Sequence, residues 1–293
     1  HRADAIHWAV AVFTNLTQDH LDFHADMEEY FLAKRRLFEA APAVAVVNVD
    51  DEHGARLARD LPGAVTTGFG AGAAVRAENV VSDASGASFT VDGRSYRTCL
   101  PGRFNVLNAL CAIATARALG LDDDTIAAAL PRTGVVPGRF QPVDEGQGFT
   151  VLVDYAHTPD SLENVLRAAR ELTGERVICV FGAGGDRDRG KRPLMGNVAA
   201  ELADVAIVTS DNPRSEDPEA IIAEVLAGAD GHAQAITDRR DAIIHAIRLA
   251  ADDDVVVIAG KGHEQGQEFA GGEKLPFDDV TVAREALRDR LGR

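Results

Sequence analysis

From Thr150 onward, short runs of β-branched and apolar residues alternate with helical segments, and this alternation constrains the fold more than any other feature. The pattern predicts strands over 150–153, 177–181, 205–209 and 255–259. It predicts helices over 161–172 and 194–202, two more before the last strand and one after it. Strands separated by helices need crossover connections, so they run parallel and both faces of their sheet are covered. In such sheets ligands collect beyond the carboxyl ends of the strands. The polar, glycine-bearing segments Asp154-Tyr155-Ala156-His157, 182–187, Asp211-Asn212-Pro213-Arg214 and Gly260-Lys261-Gly262-His263-Glu264 all fall there. Four loops are therefore expected on one rim.

The preceding half is less regular. It reads as a strand over 9–13, an amphipathic helix beginning near Asp26, a strand over 44–49, a β-rich stretch over 65–96, and helices beginning near Phe104 and Asp122. A Gly/Pro-punctuated connector, 134–140, separates the halves, and 293 residues suffice for two cores. The expectation is an α/β chain with domains 1–141 and 142–293. With 46% hydrophobic and 26% charged residues, neither half reads as disordered. A formal net charge of −16 argues against a nucleic-acid surface, which needs clustered Lys and Arg. Cys99, Cys111 and Cys179 are widely spaced and read as reduced core residues. No apolar run nears membrane-spanning length and no leader pattern is present, so a cytoplasmic protein without membrane insertion is expected. The chain starts at His1 and enters a strand within a few residues, so an upstream segment is expected as well.

Several clusters suggest chemistry. Met27, Phe31, Lys34 and Phe38 share one helical stripe, so Lys34 interrupts an apolar face. Its ammonium can snorkel to water along that face. Alternatively, a desolvated lysine becomes a neutral amine able to take up carbon dioxide as a carbamate and ligate Mg2+. The segment 14–24 carries two histidines and two aspartates within six residues. It reads either as a metal and phosphate neighbourhood, with His20 as ligand, or as a capped polar turn. Residues 185–191 read GxxxxGK after a strand, but Arg192 stands where a P-loop needs Ser or Thr, and Asp186 and Asp188 would repel phosphate. That loop suits a zwitterion better, with Arg187 on its carboxylate, unless it is simply solvated. Asp211, Asn212 and Arg214 offer an anion and an amide for an ammonium and a fork for a carboxylate; a Pro213 turn with surface charges is the plainer alternative. Asp154 ends a buried strand, where carboxylates accept from ribose hydroxyls, and Arg139 in the connector has the reach of a phosphate contact.

Taken in order, the motifs resemble the Mur ligases. They are Asn15-Leu-Thr-Gln-Asp-His-Leu-Asp-Phe-His24, Tyr30-Phe-Leu-Ala-Lys34, Leu100-Pro-Gly-Arg-Phe-Asn105, Gly138-Arg-Phe140 and Asp154-Tyr-Ala-His-Thr-Pro159. Gly184-Gly-Asp-Arg187, Asp211-Asn-Pro-Arg214 and Gly260-Lys-Gly-His-Glu264 complete the set. The resemblance implies most of a central ATPase domain and a whole Rossmann-like C-terminal domain. The family's Walker A loop and first domain are expected upstream of His1, so this stretch by itself is expected to be inactive. The branch it resembles most adds a third residue to a UDP-N-acetylmuramoyl dipeptide through an acyl phosphate, with ATP and Mg2+. Carried over by motif, Lys34 would be the carbamylated lysine and His20 a metal ligand. Asn105, Asn108, Arg139 and Asp154 would contact ATP, and Arg2 the UDP-muramoyl dipeptide. Arg187, Asp211, Asn212, Pro213, Arg214, Gly260 and Glu264 would form the amino-acid pocket. In the family this form of the 211–214 motif goes with meso-diaminopimelate. Lysine would leave Arg214 unpaired, at roughly 2–5 kcal/mol, a thousandfold or so in discrimination. A small-molecule enzyme acting as a monomer is expected. The alternatives are a lysine-adding or folylpolyglutamate synthase-like ligase, or a non-catalytic binding module.

Overall fold

The computed structural model describes residues 6–18 and 23–293, in two compact units, His1–Gly134 and Val135–Arg293. In the first, strands β1 (Val10–Phe13), β2 (Val44–Asn48), β3 (Val65–Gly68) and β4 (Val75–Arg76) form a parallel sheet in that order. Helices α1 (Met27–Glu39) and α2 (Glu52–Asp60) are the crossovers between β1, β2 and β3. A meander of β5 (Glu78–Asp83), β6 (Gly86–Val91) and β7 (Arg94–Thr98) follows, then α3 (Arg103–Ala118) and α4 (Asp123–Ala129). Successive strand residues point to opposite faces. Val47 accordingly packs with Phe13, Phe31, Phe38 and Leu57 on the α1 and α2 side, and Val46 with Phe89, Leu110 and Ile113 on the α3 side. Helix α1 begins where it does because the Asp26 carboxylate accepts from the Glu29 N–H at 2.8 Å.

The second unit is a six-stranded sheet. Its strands are β8 (Gln141–Pro142), β9 (Thr150–Asp154), β10 (Val177–Phe181), β11 (Val205–Val208), β12 (Ala233–Ala235) and β13 (Val255–Ala259). The order is β12-β11-β10-β13-β9-β8, parallel except for the antiparallel edge β8. Helices α5 (Pro159–Arg170), α6 (Lys191–Leu202), α7 (Pro218–Leu226), α8 (Arg239–Leu249) and α9 (Asp279–Arg290) alternate with the strands, and β14 (Gly266–Glu268) pairs with β15 (Lys274–Pro276) as a hairpin after β13. All five residues of β10 and all five of β13 are buried, as a sheet covered on both faces requires.

Three details depart from the sequence expectation. Helix α5 starts two residues early because Thr158 and Ser161 form a reciprocal capping box. Helix α6 starts at Lys191 and not at 194. The boundary falls after Gly134, seven residues before the expected 141/142 division. The reason is that the connector is stitched into the second unit. Phe140 is fully buried and donates its N–H to Asp154 Oδ2 at 2.6 Å, the Gly138 N–H donates to Gln141 Oε1 at 2.8 Å, and Pro142 pairs with Leu152.

At the first residue of α8, Arg239 is fully buried. It donates to both oxygens of the equally buried Asp279 at 2.8 Å, and its Nη2 also donates to the Ala259 carbonyl at 2.9 Å, joining α8, α9 and the end of β13. Burial works against its charge, yet Asp279 holds the guanidinium above its ordinary pKa. Removing one member of such a pair strands the other. Asp279→Ala is expected to destabilise the second unit by ~3–5 kcal/mol. Hydrogen exchange across β10 and β13 would register it as a loss of protection; unchanged protection would refute it.

Candidate functional site

The carboxyl ends of β9, β10, β11 and β13 bring the expected four loops together. Gly260 N–H donates to the Asp154 carbonyl at 3.0 Å and Gly185 N–H to the Asn212 carbonyl at 2.9 Å. Lys261, with no exposed surface, places Nζ 2.8 Å from Asn212 Oδ1, 3.3 Å from Glu264 Oε2 and 3.7 Å from Asp211 Oδ1. Asn212 Nδ2 in turn donates to Glu264 Oε2 at 2.9 Å. Two glycines are explained by this crowding. A Cβ on Gly260 would meet Asp211 Oδ2 at 2.5 Å, and one on Gly138 would lie 2.1 Å from the His263 nitrogen; both have positive φ, +123° and +66°. Glycine lets position 138 lie against the 262–263 backbone and position 260 against the Asp211 carboxylate.

Asp154 and Arg214 are engaged more fully than the sequence suggested. Asp154 is buried, and its carboxylate accepts from the N–H groups of Phe140 at 2.6 Å and Ala156 at 2.7 Å. Burial raises its pKa, against those two hydrogen bonds. It therefore anchors the 138–140 loop. Arg214 is not an unpaired fork: Nε donates to Glu268 Oε2 at 3.2 Å and Nη1 to the Gly185 carbonyl at 2.6 Å. Phe140, Asp186 and Arg214 adopt left-handed φ of 45°, 53° and 51°. Non-glycine residues there typically cost ~1–3 kcal/mol, and such strain concentrates at functional loops. Arg187 is exposed and donates to its neighbour's carbonyl, that of Asp186, at 3.0 Å, while the exposed Arg139 stacks 4.5 Å over the Tyr155 ring.

The loop after β10 is held from below. Arg192, fully buried, donates to Glu216 at 2.7 and 2.9 Å and to Glu224 at 2.9 Å, and Glu224 also pairs with Arg189. Lys191 Nζ donates to the His157 carbonyl at 3.0 Å. Lys191, which closes the GxxxxGK-like run, and Arg192 after it thus both serve protein partners, consistent with the reading that this is not a P-loop.

In the first unit, Lys34 is exposed, with Nζ 5.2 Å from the Tyr30 ring centroid. Phe31 and Phe38 take the core side of the stripe, so the desolvation behind the carbamate reading is not met among the described residues. Asn105 is buried in the first turn of α3, donating to the Pro101 carbonyl at 2.8 Å, and the exposed Asn108 donates to Asn105 Oδ1 at 3.2 Å. Arg2 and His20 lie outside the described residues. Among the described residues no group of three or more His, Cys, Asp or Glu side chains is placed to hold a metal ion.

Residues 1–116 match the Mur ligase middle domain, and residues 138–262 match the Mur ligase glutamate ligase domain. The chain belongs to the Mur ligase family. It is 48% identical, over 99% of its length, to the UDP-N-acetylmuramoyl-L-alanyl-D-glutamate–2,6-diaminopimelate ligase of Syntrophomonas wolfei. It is 50% identical over 96% to the enzyme of that name from Thermosynechococcus vestitus. It spans 62% and 59% of those relatives, respectively. A solved structure of an enzyme of that name shares 38% identity at a TM-score of 0.62, covering 96% of this chain and 60% of that one. MurF of Thermotoga maritima, solved with ADP, shares the fold alone, at 16% identity and a TM-score of 0.75, covering 99% of this chain and 64% of that one.

Gln267 and Glu268 are rim residues that the sequence reading did not single out, and Lys261 was quoted there within its motif with no role of its own. Gln267 donates to the Asp211 carbonyl at 2.9 Å, and Glu268 joins its backbone N–H to Asn212 Oδ1 at 3.0 Å and its carbonyl to the Arg214 N–H at 3.0 Å. A three-residue strand carries too little pattern to be seen, and only its pairing with β15 reveals it. Glu216 provides a pH test. The Arg192 hydrogen bonds hold its pKa down to about 2, from an ordinary 4.5. Its contribution to stability is present above pH 4.5 and is lost as pH falls toward 2. Unfolding monitored across that range is expected to show a shallower acid dependence for Glu216→Gln than for the parent chain; equal slopes would refute this.

Proposed function

We propose that the protein carrying this chain joins meso-diaminopimelate to the terminal carboxylate of UDP-N-acetylmuramoyl-L-alanyl-D-glutamate at the expense of ATP, in peptidoglycan precursor synthesis. The observation that carries the reading is the rim of the second unit. It sets Arg214, a carboxylate partner, beside the acidic Asp211, Glu264 and Glu268, which suit an ammonium. Diaminopimelate ends its side chain in both groups, and lysine in an amine alone. The names of relatives 44–50% identical support the same substrates.

In this reading ATP phosphorylates the substrate carboxylate. The free amine of the incoming amino acid then attacks the carbonyl carbon of the acyl phosphate, the C–O bond to phosphate breaks, and the amine gives up a proton as the amide forms. No protein nucleophile takes part. Asp211, Asn212, Pro213, Arg214, Gly260 and Glu264, with Arg187 at the exposed edge, hold the amino acid. Asn105 and Asn108 in the first unit, and Arg139 and Asp154 in the second, are assigned to ATP, each on its own family motif. Arg2 is assigned to the muramoyl dipeptide, and His20 and carbamylated Lys34 to Mg2+. The described residues do not by themselves build that metal site, since Lys34 is exposed. We place the enzyme in the cytoplasm as a monomer; among the described residues no helix is long and apolar enough to cross a membrane.

Glu268 changes the expected margin against lysine. Because Arg214 already has an internal carboxylate partner, an empty subsite does not strand its charge. The preference for diaminopimelate is therefore expected at about 10- to 100-fold, below the thousandfold of an unpaired guanidinium. The test is phosphate release by the full-length natural protein with ATP, the UDP-muramoyl dipeptide and either amino acid. Release with diaminopimelate, weakened at least about tenfold by Arg214→Ala, supports the reading. Preference for lysine overturns the specificity, and release with neither overturns the reaction.

A further inference from the structure

We propose that Lys261 is a positioning residue for the incoming amino acid: from beneath the rim, its ammonium fixes the Asn212 amide and the Glu264 carboxylate in the orientation in which they meet the ligand. The proposal rests on the ligase reading and deepens it. Lys261 has no exposed surface, so it acts through other groups. An ammonium has three protons to donate and no acceptor. Three acceptor groups surround it: Asn212 Oδ1 at 2.8 Å, Glu264 Oε2 at 3.3 Å and Asp211 Oδ1 at 3.7 Å. They come from the loops after β11 and β13, so one buried cation ties two of the four loops.

The consequence for Asn212 is directional. Its carbonyl oxygen accepts from Lys261 Nζ and from the Glu268 N–H at 3.0 Å, which occupies both lone pairs. Reversing the amide would turn its own N–H2 onto two donors. The amide nitrogen must therefore face Glu264 Oε2, where it lies at 2.9 Å. With two donors on Oε2, Glu264 keeps Oε1 on the Tyr155 side, where the phenol lies 3.4 Å away, in a side chain that is 34% exposed. Without the ammonium, Asp211 and Glu264 would lose the cation that lies between them, and the Asn212 amide would lose the shorter of the two hydrogen bonds to its oxygen, leaving the Glu268 N–H and the Glu264 carboxylate to hold it. The bland alternative is that Lys261 merely stabilises the unit. That role would lower the melting temperature and leave the Michaelis constant of one substrate no more affected than those of the others.

The experiment uses the full-length protein, with phosphate release as readout. Lys261→Met keeps the stem and removes the charge. The expected result is a KM for diaminopimelate raised about 10- to 100-fold, with the KM for ATP and for the UDP-muramoyl dipeptide unchanged. In a cycle with Asn212→Ala, the double variant is expected to be little worse than the worse single variant, because both changes break one arrangement. Should Lys261→Met fail to fold, Lys261→Gln, neutral but still a donor, takes its place in the same cycle. An unchanged KM for diaminopimelate, equal changes in every KM, or additive effects in the cycle would overturn the proposal. A parent enzyme that does not respond to diaminopimelate would instead refute the ligase reading, and this proposal with it.

Discussion

Beneath the loops at the carboxyl ends of the second unit's strands lie the cations Lys261 and Arg239, neither with appreciable exposed surface. A buried charge is tolerated only when paired and hydrogen-bonded. That requirement organises the rim. Arg239 is met by Asp279 and the Ala259 carbonyl, Lys261 by Asn212, Glu264 and Asp211. Between them, Gly260 leaves the space that Asp211 occupies. The residues that compensate the buried cations are in part those assigned to the ligand, so stability and recognition draw on the same groups.

A second layer of pairing holds the loops in strained shapes. Arg192 beneath the 184–190 segment, Asp154 beneath the 138–140 segment and the short strand β14 beside the 210–214 segment each satisfy several backbone or carboxylate groups at once. Left-handed Phe140, Asp186 and Arg214 sit above these anchors. Tertiary contacts therefore over-determine conformations that local sequence would not choose.

The first unit places its motifs with less convergence. Lys34 stands at the exposed edge of α1, and Asn105 is buried at the start of α3 with Pro101 and Asn108 as partners. Its sheet is ordinary in construction, one face packed by α1 and α2 and the other by α3, and its chemistry rests on the family motifs more than on geometry among the described residues.

The sequence by itself determined the parallel α/β architecture of the second unit, because short continuous apolar runs alternating with helices admit few other solutions. It also determined which four loops meet, since in such a sheet all crossovers leave from the same end, and it carried the family motifs. Tertiary structure alone decided who partners whom. The pairing of Arg214 with Glu268 spans 54 residues and that of Asn212 with Lys261 spans 49, distances at which no local pattern operates. It decided, too, that 135–141 joins the second unit, because a buried Phe140 and a two-residue edge strand register only once β9 is there to receive them. Burial and pairing are properties of what lies across the fold from a residue, and a linear pattern does not contain them.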